Sequence, residues 1–474
     1  MPTAHGRSAP GASGAPGRSY GPPSFWFAQD GPAPRRPALD RDRAADVCII
    51  GAGYTGLWTA YELRRADPQL EVVVLESQFA GFGASGRNGG WVLGELAGPP
   101  ERWIARSGRE ATRAMTLAIQ ETVDEVGAVI AREQIECDFV KGGTLTLARS
   151  QLQLSRLRQD LQGDREHALG REGAVLLEGD GARELIAIEG LKGAVFSPHC
   201  ARVQPARLVR GLASAAERAG ATLYEDTDVA GLSPGAVTTA TGHTVRARYV
   251  IRATEGYTTR LPGLRRALLP LNSSMIITEP IDEEIWATLG WQGMQTVHDS
   301  AHLYVYLQRT ADGRVAIGGR GVPYRYGSRT DREGPVSSRT VTELRGRLAA
   351  LFPVLGQVGI EAAWHGVFGV ARDWMPSVGL DRESGIAWAG GYVGEGVAAA
   401  NLAGRTLRDL LLARDTPLTR LPWVRRPPRD WEPEPFRFIG ARGIYGLYRL
   451  GDRRERRTGR PSALARMADI VAGR

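Results

Sequence analysis

The first 44 residues show no apolar rhythm; they are dense in Pro, Gly, Ser and Ala, and residues 1–44 are expected to form a disordered leader. A continuous apolar run follows at 47–50, then Gly51, Gly53 and Gly56, then apolar positions at helical spacing (Leu57, Ala60, Leu63). A second apolar run at 72–75 ends on Glu76. Strand, glycine turn, helix and strand in that order predict a βαβ unit. Residues 100–195 carry helical periodicity through Ala114, Leu117, Ala118 and Val126 and include a strand-like piece at 143–148. An amphipathic helix is predicted around Leu208, Leu212 and Ala215. Alternation of period two governs residues 270–320, with strands expected at 274–278, 302–307 and 314–318 and a hairpin turn at Asp312-Gly313. A last strand at 386–389 meets Gly390, Gly391, Gly394 and Gly396, and a helix of small and apolar residues runs over 397–412.

These elements predict an α/β protein in which a Rossmann-like dinucleotide-binding domain (45–99, 196–265 and 360–415) is interleaved with an α+β substrate domain (100–195 and 266–359). The antiparallel sheet of the second domain would roof the cofactor held by the first. Residues 416–474 remain as a basic C-terminal extension.

The glycines have separable duties. Gly51 permits the tight turn out of the strand, Gly53 lets backbone approach a pyrophosphate, and Gly56 lets helix pack closely on sheet. Ala52, Tyr54 and Thr55 complete the turn and the helix N-terminus, whose free N–H groups favour phosphate oxygens. Glu76, 25 residues after Gly51 and followed by Ser77, is placed to accept ribose hydroxyls. This pattern alone does not separate FAD from NAD. Six glycines between Gly81 and Gly94, interleaved with Ala84, Ser85, Arg87 and Asn88 and including Gly89 and Gly90, are better suited to wrapping a flavin than to entering a next helix. The late turn at Gly394, Glu395 and Gly396 supplies a second helix N-terminus for the other end of the same ligand.

Composition narrows the partners. The 474 residues are 42% hydrophobic and 24% charged, as in a globular protein, and the net charge is +8. Residues 421–474 carry +7 and residues 1–44 carry +3, so the body is close to −2 and offers no basic face to nucleic acid. Three scattered cysteines (Cys48, Cys137, Cys200) make neither a disulfide framework nor a metal site, and no metal is expected. No apolar run is long enough to span a bilayer; a cytoplasmic location is expected, and contact with a membrane is not.

The motif GAGYTG with Glu76, the segment GASGRNGG at 83–90 and the late GYVGEG at 391–396 resemble the D-amino-acid-oxidase-like FAD oxidoreductases, the group containing glycine, sarcosine and gamma-glutamylputrescine oxidases. The resemblance covers roughly residues 45–415, and the 83–90 segment is most similar to the gamma-glutamylputrescine oxidase branch. It implies adenine contact through the backbone of Val229, a cofactor turn at Ala253 and Thr254, and FAD held without a covalent bond. It also implies oxidation of a C–N bond of a small amine or amino acid to an imine, with hydride transfer to flavin N5, O2 as acceptor and H2O2 as product. Two positions depart from the family. Ala398 and Glu395 stand where sarcosine oxidases carry a lysine for the substrate carboxylate and a histidine, so Glu395 becomes a candidate partner for a substrate ammonium; the alternative is an acid resting on the helix dipole. Ala316 stands where those enzymes carry an oxygen-activating lysine, which keeps open a dehydrogenase passing electrons to a quinone or carrier protein. A catalytically silent FAD-binding subunit is a further alternative. Arg320 and Trp91 are the other substrate-binding candidates, against readings as an ion-pair partner and a core aromatic. His365 and Asp373 are further pocket candidates. The tail is expected to dock on the enzyme's own body or a partner subunit, its last helix presenting Leu464, Met467, Ala468 and Val471 on one face.

Overall fold

The computed structural model describes residues 23–167, 169–170, 173–319, 324–330 and 336–472; Arg320 lies outside them. Two eight-stranded sheets organise the chain. The first has the parallel order Ile386–Gly390, Thr244–Arg252, Arg43–Ile50, Val72–Leu75 and Thr222–Tyr224, with Ser377–Asp381 antiparallel at one edge and a hairpin, Val229–Ser233 and Ala236–Thr239, added on Thr244–Arg252. Ile50 stands in register with Leu75 on one side and Arg252 on the other. The apolar runs at 47–50 and 72–75 are continuous because both faces of the sheet are covered: Val47, Ile49, Val72 and Val74 pack under helices, and Cys48, Ile50, Val73 and Leu75 pack with Leu39, Val237 and the partly buried Val229 and Leu232 of the hairpin.

Two helices set the architecture on one of those faces. Tyr54–Ala66 follows the first glycine turn and Gly396–Leu411 follows the late one, and they pack against each other. Their approach depends on missing side chains. A Cβ on Gly404 would lie 2.9 Å from the backbone of Trp58 and Thr59, and one on Gly56 would lie 1.9 Å from the carbonyl oxygen of Gly51.

The second sheet runs in the order Ile360–Val370, Leu269–Thr278, Val315–Gly319, Val305–Arg309, Thr296–Asp299, Thr144–Ala148, Gly193–Ser197 and Val175–Glu178, antiparallel except where Thr296–Asp299 meets Thr144–Ala148. Its strands at 269–278 and 315–319 and the turn at Gly313 fall close to the expected positions. The strand expected at 302–307 begins at Val305, because the Asp299 carboxylate takes the Val305 N–H (2.9 Å) and Asp452 takes those of His302 and Leu303 (3.0 and 3.1 Å). Residues 360–370, expected in the cofactor domain, belong to this sheet: Leu271 pairs with Phe368 and Met275 with Trp364 along one long ladder.

The leader also differs from expectation over its described part. A short helix, Phe25–Gln29, buries Phe25, Trp26 and Phe27, and the first strand starts at Arg43. Trp26 Nε1 donates to the Asn88 carbonyl (2.9 Å), Ser24 Oγ donates to that of Gly86 (2.7 Å), and the Gln204 side chain holds the Trp26 carbonyl (2.8 Å). Three consecutive apolar side chains within a polar, proline-rich stretch are what order it. Residues 23–29 therefore brace the glycine loop from behind.

The extension folds as two helices, Phe436–Thr458 and Ala463–Ala472. Tyr448 stacks on His302 (5.7 Å) and donates to Asp469 (2.6 Å), and Glu455 pairs with Arg156 (3.1 Å). Of the face expected to dock, Ala468 is buried and Leu464 half-buried, but Met467 and Val471 are exposed, and Ala465 and Ala472 turn inward instead. The crossing with Gly451 is too close for larger residues, since a Cβ there would sit 3.1 Å from the Ala465 methyl.

Trp26→Ala should cost about 3 to 5 kcal/mol, as for other buried aromatic truncations. Denaturant unfolding monitored by far-UV circular dichroism measures this; a loss below about 1 kcal/mol would mean that the segment does not brace the loop.

Candidate cofactor and substrate site

A cavity of about 570 Å³ runs between the C-terminal ends of the parallel strands and the second sheet. At one end lies Glu76. Its Oε2 accepts from the Ala52 N–H (2.9 Å), and its Oε1 accepts from the Gln78 N–H (3.0 Å) and the Ser77 hydroxyl (3.3 Å). Burial pushes its carboxyl pKa up, and these hydrogen bonds pull it back. Asp228 and Val229 line the same end.

The middle is bare backbone. Gly53 caps the helix Tyr54–Ala66, and a Cβ on it would stand 2.9 Å from Ser85 Oγ, which accepts the Tyr54 N–H (2.8 Å). Gly394, at φ +104°, faces open space where any side chain would project, one residue from the Glu395 cap of the second helix. Two helix N-termini thus meet one cavity, bridged by Thr55 Oγ1 and Tyr392 Oη at 3.1 Å. Helix ends, uncovered glycines and an oriented buried carboxylate suit the pyrophosphate and ribose diol of a dinucleotide. Further along, Trp91 Nε1 is buried with no acceptor among the described residues, a donor left for a bound group.

The expected cofactor residues Gly51, Tyr54, Thr55, Ser77, Ala84, Asn88, Gly89, Ala253, Thr254 and Gly396 also line the wall. Ala52, Gly56 and Gly90 stand behind it: Ala52 orients Glu76, Gly56 packs on the glycine turn, and Gly90 lies against Gln308 and the Val203 carbonyl. Arg87 lines the cavity, but its guanidinium is held by the carbonyls of Phe82 (2.7 Å) and His365 (3.3 Å) and over the Phe82 ring. It ties the glycine loop to the strand Ile360–Val370. Glu395 and Trp91 are both in the wall. His365 and Asp373 are not: His365 is buried in the strand Ile360–Val370, and Asp373 pairs with Arg425 (2.7 Å). Ala316 is buried in the second sheet, away from the wall.

The acid that fastens this half of the site was not among the expected residues. Glu255, directly after the Ala253-Thr254 turn, is buried and accepts from the N–H groups of Gly391 (2.9 Å), Tyr392 (3.2 Å) and Gly369 (3.3 Å). Burial pushes its pKa up to about 7 against the pull of those three donors. It fastens the late glycine segment to the strand Thr244–Arg252 and to the second sheet. A glutamate inside a glycine-containing turn ordinarily reads as solvated.

At the far end stands a wall of rings. Trp91 meets His298 (5.8 Å) and Tyr306 (6.1 Å) edge-on, and His298 meets Tyr304 (6.1 Å). Tyr306 Oη is 2.8 Å from Ser273 Oγ, and His298 Nε2 is 2.7 Å from Thr146 Oγ1. Burial lowers the His298 pKa, opposed by Glu95, so the ring is neutral near pH 7. Glu95 and Asp160 also line the cavity, whose cations among the described residues are Arg87 and Arg260. Arg260 stands 3.8 Å from Asp228, at the ribose end. Period-two spacing of Tyr304 and Tyr306 was the signal available in the sequence; Glu95, Thr146 and Asp160 carried none.

Residues 46–410 match the model of a family described as FAD dependent oxidoreductase. The chain belongs to that family. It is 32% identical over 378 residues to the gamma-glutamylputrescine oxidoreductase of Escherichia coli (strain K12), covering 79% of this chain and 85% of that one. It is 26% identical to the glycine oxidase of Geobacillus kaustophilus (strain HTA426) over 80% of this chain and 96% of the other. A crystal structure of glycine oxidase from Geobacillus kaustophilus superposes with a TM-score of 0.65 at 24% identity, covering 82% of this chain and all of that one. The protein is thus an FAD-dependent oxidoreductase of the amine and amino acid oxidase type.

Glu255→Gln removes an acceptor from at least one of three buried N–H groups, a loss of about 1 to 3 kcal/mol. FAD retention, read as the ratio of absorbance near 450 nm to that at 280 nm after dialysis, should drop, with affinity weakened roughly tenfold. The folded carboxyl also holds its proton more tightly than at its ordinary value of 4.5, so its contribution to stability falls as pH rises from about 4.5 to about 7. That slope should be absent from the urea midpoints of Glu255→Gln; an unchanged slope would assign it to another group.

Proposed function

We propose that this enzyme oxidises a C–N bond of a small cationic amine to an imine. The observation that carries this reading is the far end of the cavity, where the rings of Trp91, Tyr304 and Tyr306 share the wall with the carboxylates of Glu95 and Asp160. The relative named gamma-glutamylputrescine oxidoreductase agrees with an amine substrate. Bound FAD supplies the acceptor for the hydride leaving the carbon next to nitrogen, and the amine proton goes to solvent, so that two electrons leave the substrate as the C=N bond forms. The protein's part is placement. Glu395, at the cap of the second helix, would attract the ammonium form; Trp91, Tyr304 and Tyr306 present π faces that hold a cation and exclude water. We further propose that FAD is held without a covalent bond: no cysteine lines the cavity, and burial pushes the thiols of Cys48, Cys137 and Cys200 up to about 12.

Dioxygen with H2O2 as product is the first reading for the acceptor. A quinone or carrier protein is favoured by a specific observation: the chain has two lysines, Lys141 and Lys192, neither of which lines the cavity, so no lysine stands ready to promote reaction with O2.

Anaerobic addition of amines and amino acids to the yellow protein tests the reading: amines should bleach the flavin band and simple amino acids should not. Reduction by glycine alone would overturn it. Glu395→Gln should raise KM for the amine roughly tenfold with kcat little changed, the loss of one charge-assisted contact; an unchanged KM would leave Glu395 as a dipole-stabilised cap. Acid precipitation should release the yellow colour into the supernatant. Reoxidation rates with air and with a soluble quinone separate the two acceptors.

A further inference from the structure

The extension presents two dissimilar faces. All six of its carboxylates are engaged: Asp430 with Arg266 (3.5 Å), Glu432 with Arg372 (3.0 Å), and Glu434 with Tyr324 (2.5 Å) and the Gly327 N–H (2.9 Å). Asp452 holds the amides of His302 and Leu303, Glu455 holds Arg156, and Asp469 accepts from Tyr448. On the two helices themselves Asp452, Glu455 and Asp469 are all engaged, so the charges left without an ion-pair partner there among the described residues are cations. Arg442, Arg449, Arg453, Arg454, Arg456, Arg457, Arg460 and Arg466 are exposed, and none of them is ion-paired among the described residues.

The same side is apolar. Phe436 (68% exposed), Ile439 (63%), Leu450 (50%), Met467 (46%), Ile470 (74%) and Val471 (54%) are six of the ten exposed large apolar side chains among the described residues, and all lie on these two helices. On Phe436–Thr458 they form one stripe. Positions 436, 439, 443, 446 and 450 repeat at three and four residues, so Phe436, Ile439 and Leu450 share a face with Gly443 and Gly446, where an added Cβ would meet nothing within 4 Å. Arg442, Arg449 and Arg453 border the stripe on one side.

We propose that this face docks in the interface of an anionic lipid membrane, the helix Phe436–Thr458 lying in its plane. An apolar stripe flanked by arginines is the pattern of a helix that lies on a bilayer, insertion and charge each supplying part of the binding. No described helix is long and apolar enough to cross a membrane, so the contact is peripheral. Charge complementarity selects the occupant. A second copy would set one all-cationic face against another, which repels. Nucleic acid would match the charge but give aliphatic Ile439, Leu450, Met467 and Ile470 no base to stack on. The surface is distinct from the cofactor cavity; sequence patterning favoured docking of the tail on the body or a partner subunit over membrane contact, with Met467 and Val471 expected on the docked face, whereas both are exposed.

Flotation of the holoprotein with vesicles tests the proposal. The protein should float with phosphatidylglycerol-rich vesicles, remain at the bottom with pure phosphatidylcholine, and lose its binding in high salt. The double variant Ile439→Glu with Leu450→Glu should lower binding at least about tenfold while the flavin spectrum stays unchanged, and Arg453→Gln with Arg454→Gln should lower it without touching the apolar stripe. Absence of flotation with phosphatidylglycerol would overturn the proposal. So would binding indifferent to the glutamates, which would make the contact purely electrostatic, or a solution dimer that the glutamates dissociate, which would assign the face to a second copy.

Discussion

The site depends on how closely two helix backbones can approach. Tyr54–Ala66 and Gly396–Leu411 come from ends of the family region more than 300 residues apart, yet Gly404 lies against the backbone of Trp58 and Thr59, and their N-termini reach one cavity. Any larger residue at 404 would push the helices apart and separate the two N-termini that together suit a long, doubly charged ligand. The link from Thr55 to Tyr392 depends on that contact, and it sets the open space at Gly394 in the same cavity as the oriented Glu76. Glu255 secures it from the other side by holding the amides of the late glycine segment.

Around this fixed half, the second sheet supplies the variable one. The rings of Tyr304, Tyr306 and His298 come from strand ends and turns of that sheet, and Trp91 comes from a short separate strand, so the wall is built from segments with no common motif. The long strand Ile360–Val370 joins the halves: it pairs along Leu269–Thr278, receives the Arg87 guanidinium at the His365 carbonyl, and lines the cavity with Gly366, Val367 and Phe368.

Local patterns were legible in the sequence and long-range pairings were not. The first βαβ unit, the late strand–turn–helix and the hairpin at Gly313 are each written within about 30 residues, where strand period, glycine spacing and a terminal acid can be read together. Residues 360–370 were misassigned because pairing partners about 90 residues upstream leave no trace in local alternation. The described leader was misread because composition averages over the three apolar residues that order it, Phe25, Trp26 and Phe27. Arg87 shows a subtler limit: a cation in a glycine loop reads as a ligand for phosphate, and here its donors meet protein carbonyls instead.

The brace at the N-terminus has a consequence for assembly of the enzyme. Trp26 touches Asn88, Gln204 and Trp364, so residues 23–29 have no complete seat until residue 364 has been made. The cavity itself draws on residues from Ile50 to Ala400. Contacts of such sequence separation form late and slowly. The FAD site is therefore complete only once nearly the whole family region has been synthesised, and a chain cut short anywhere before residue 400 would lack part of its wall.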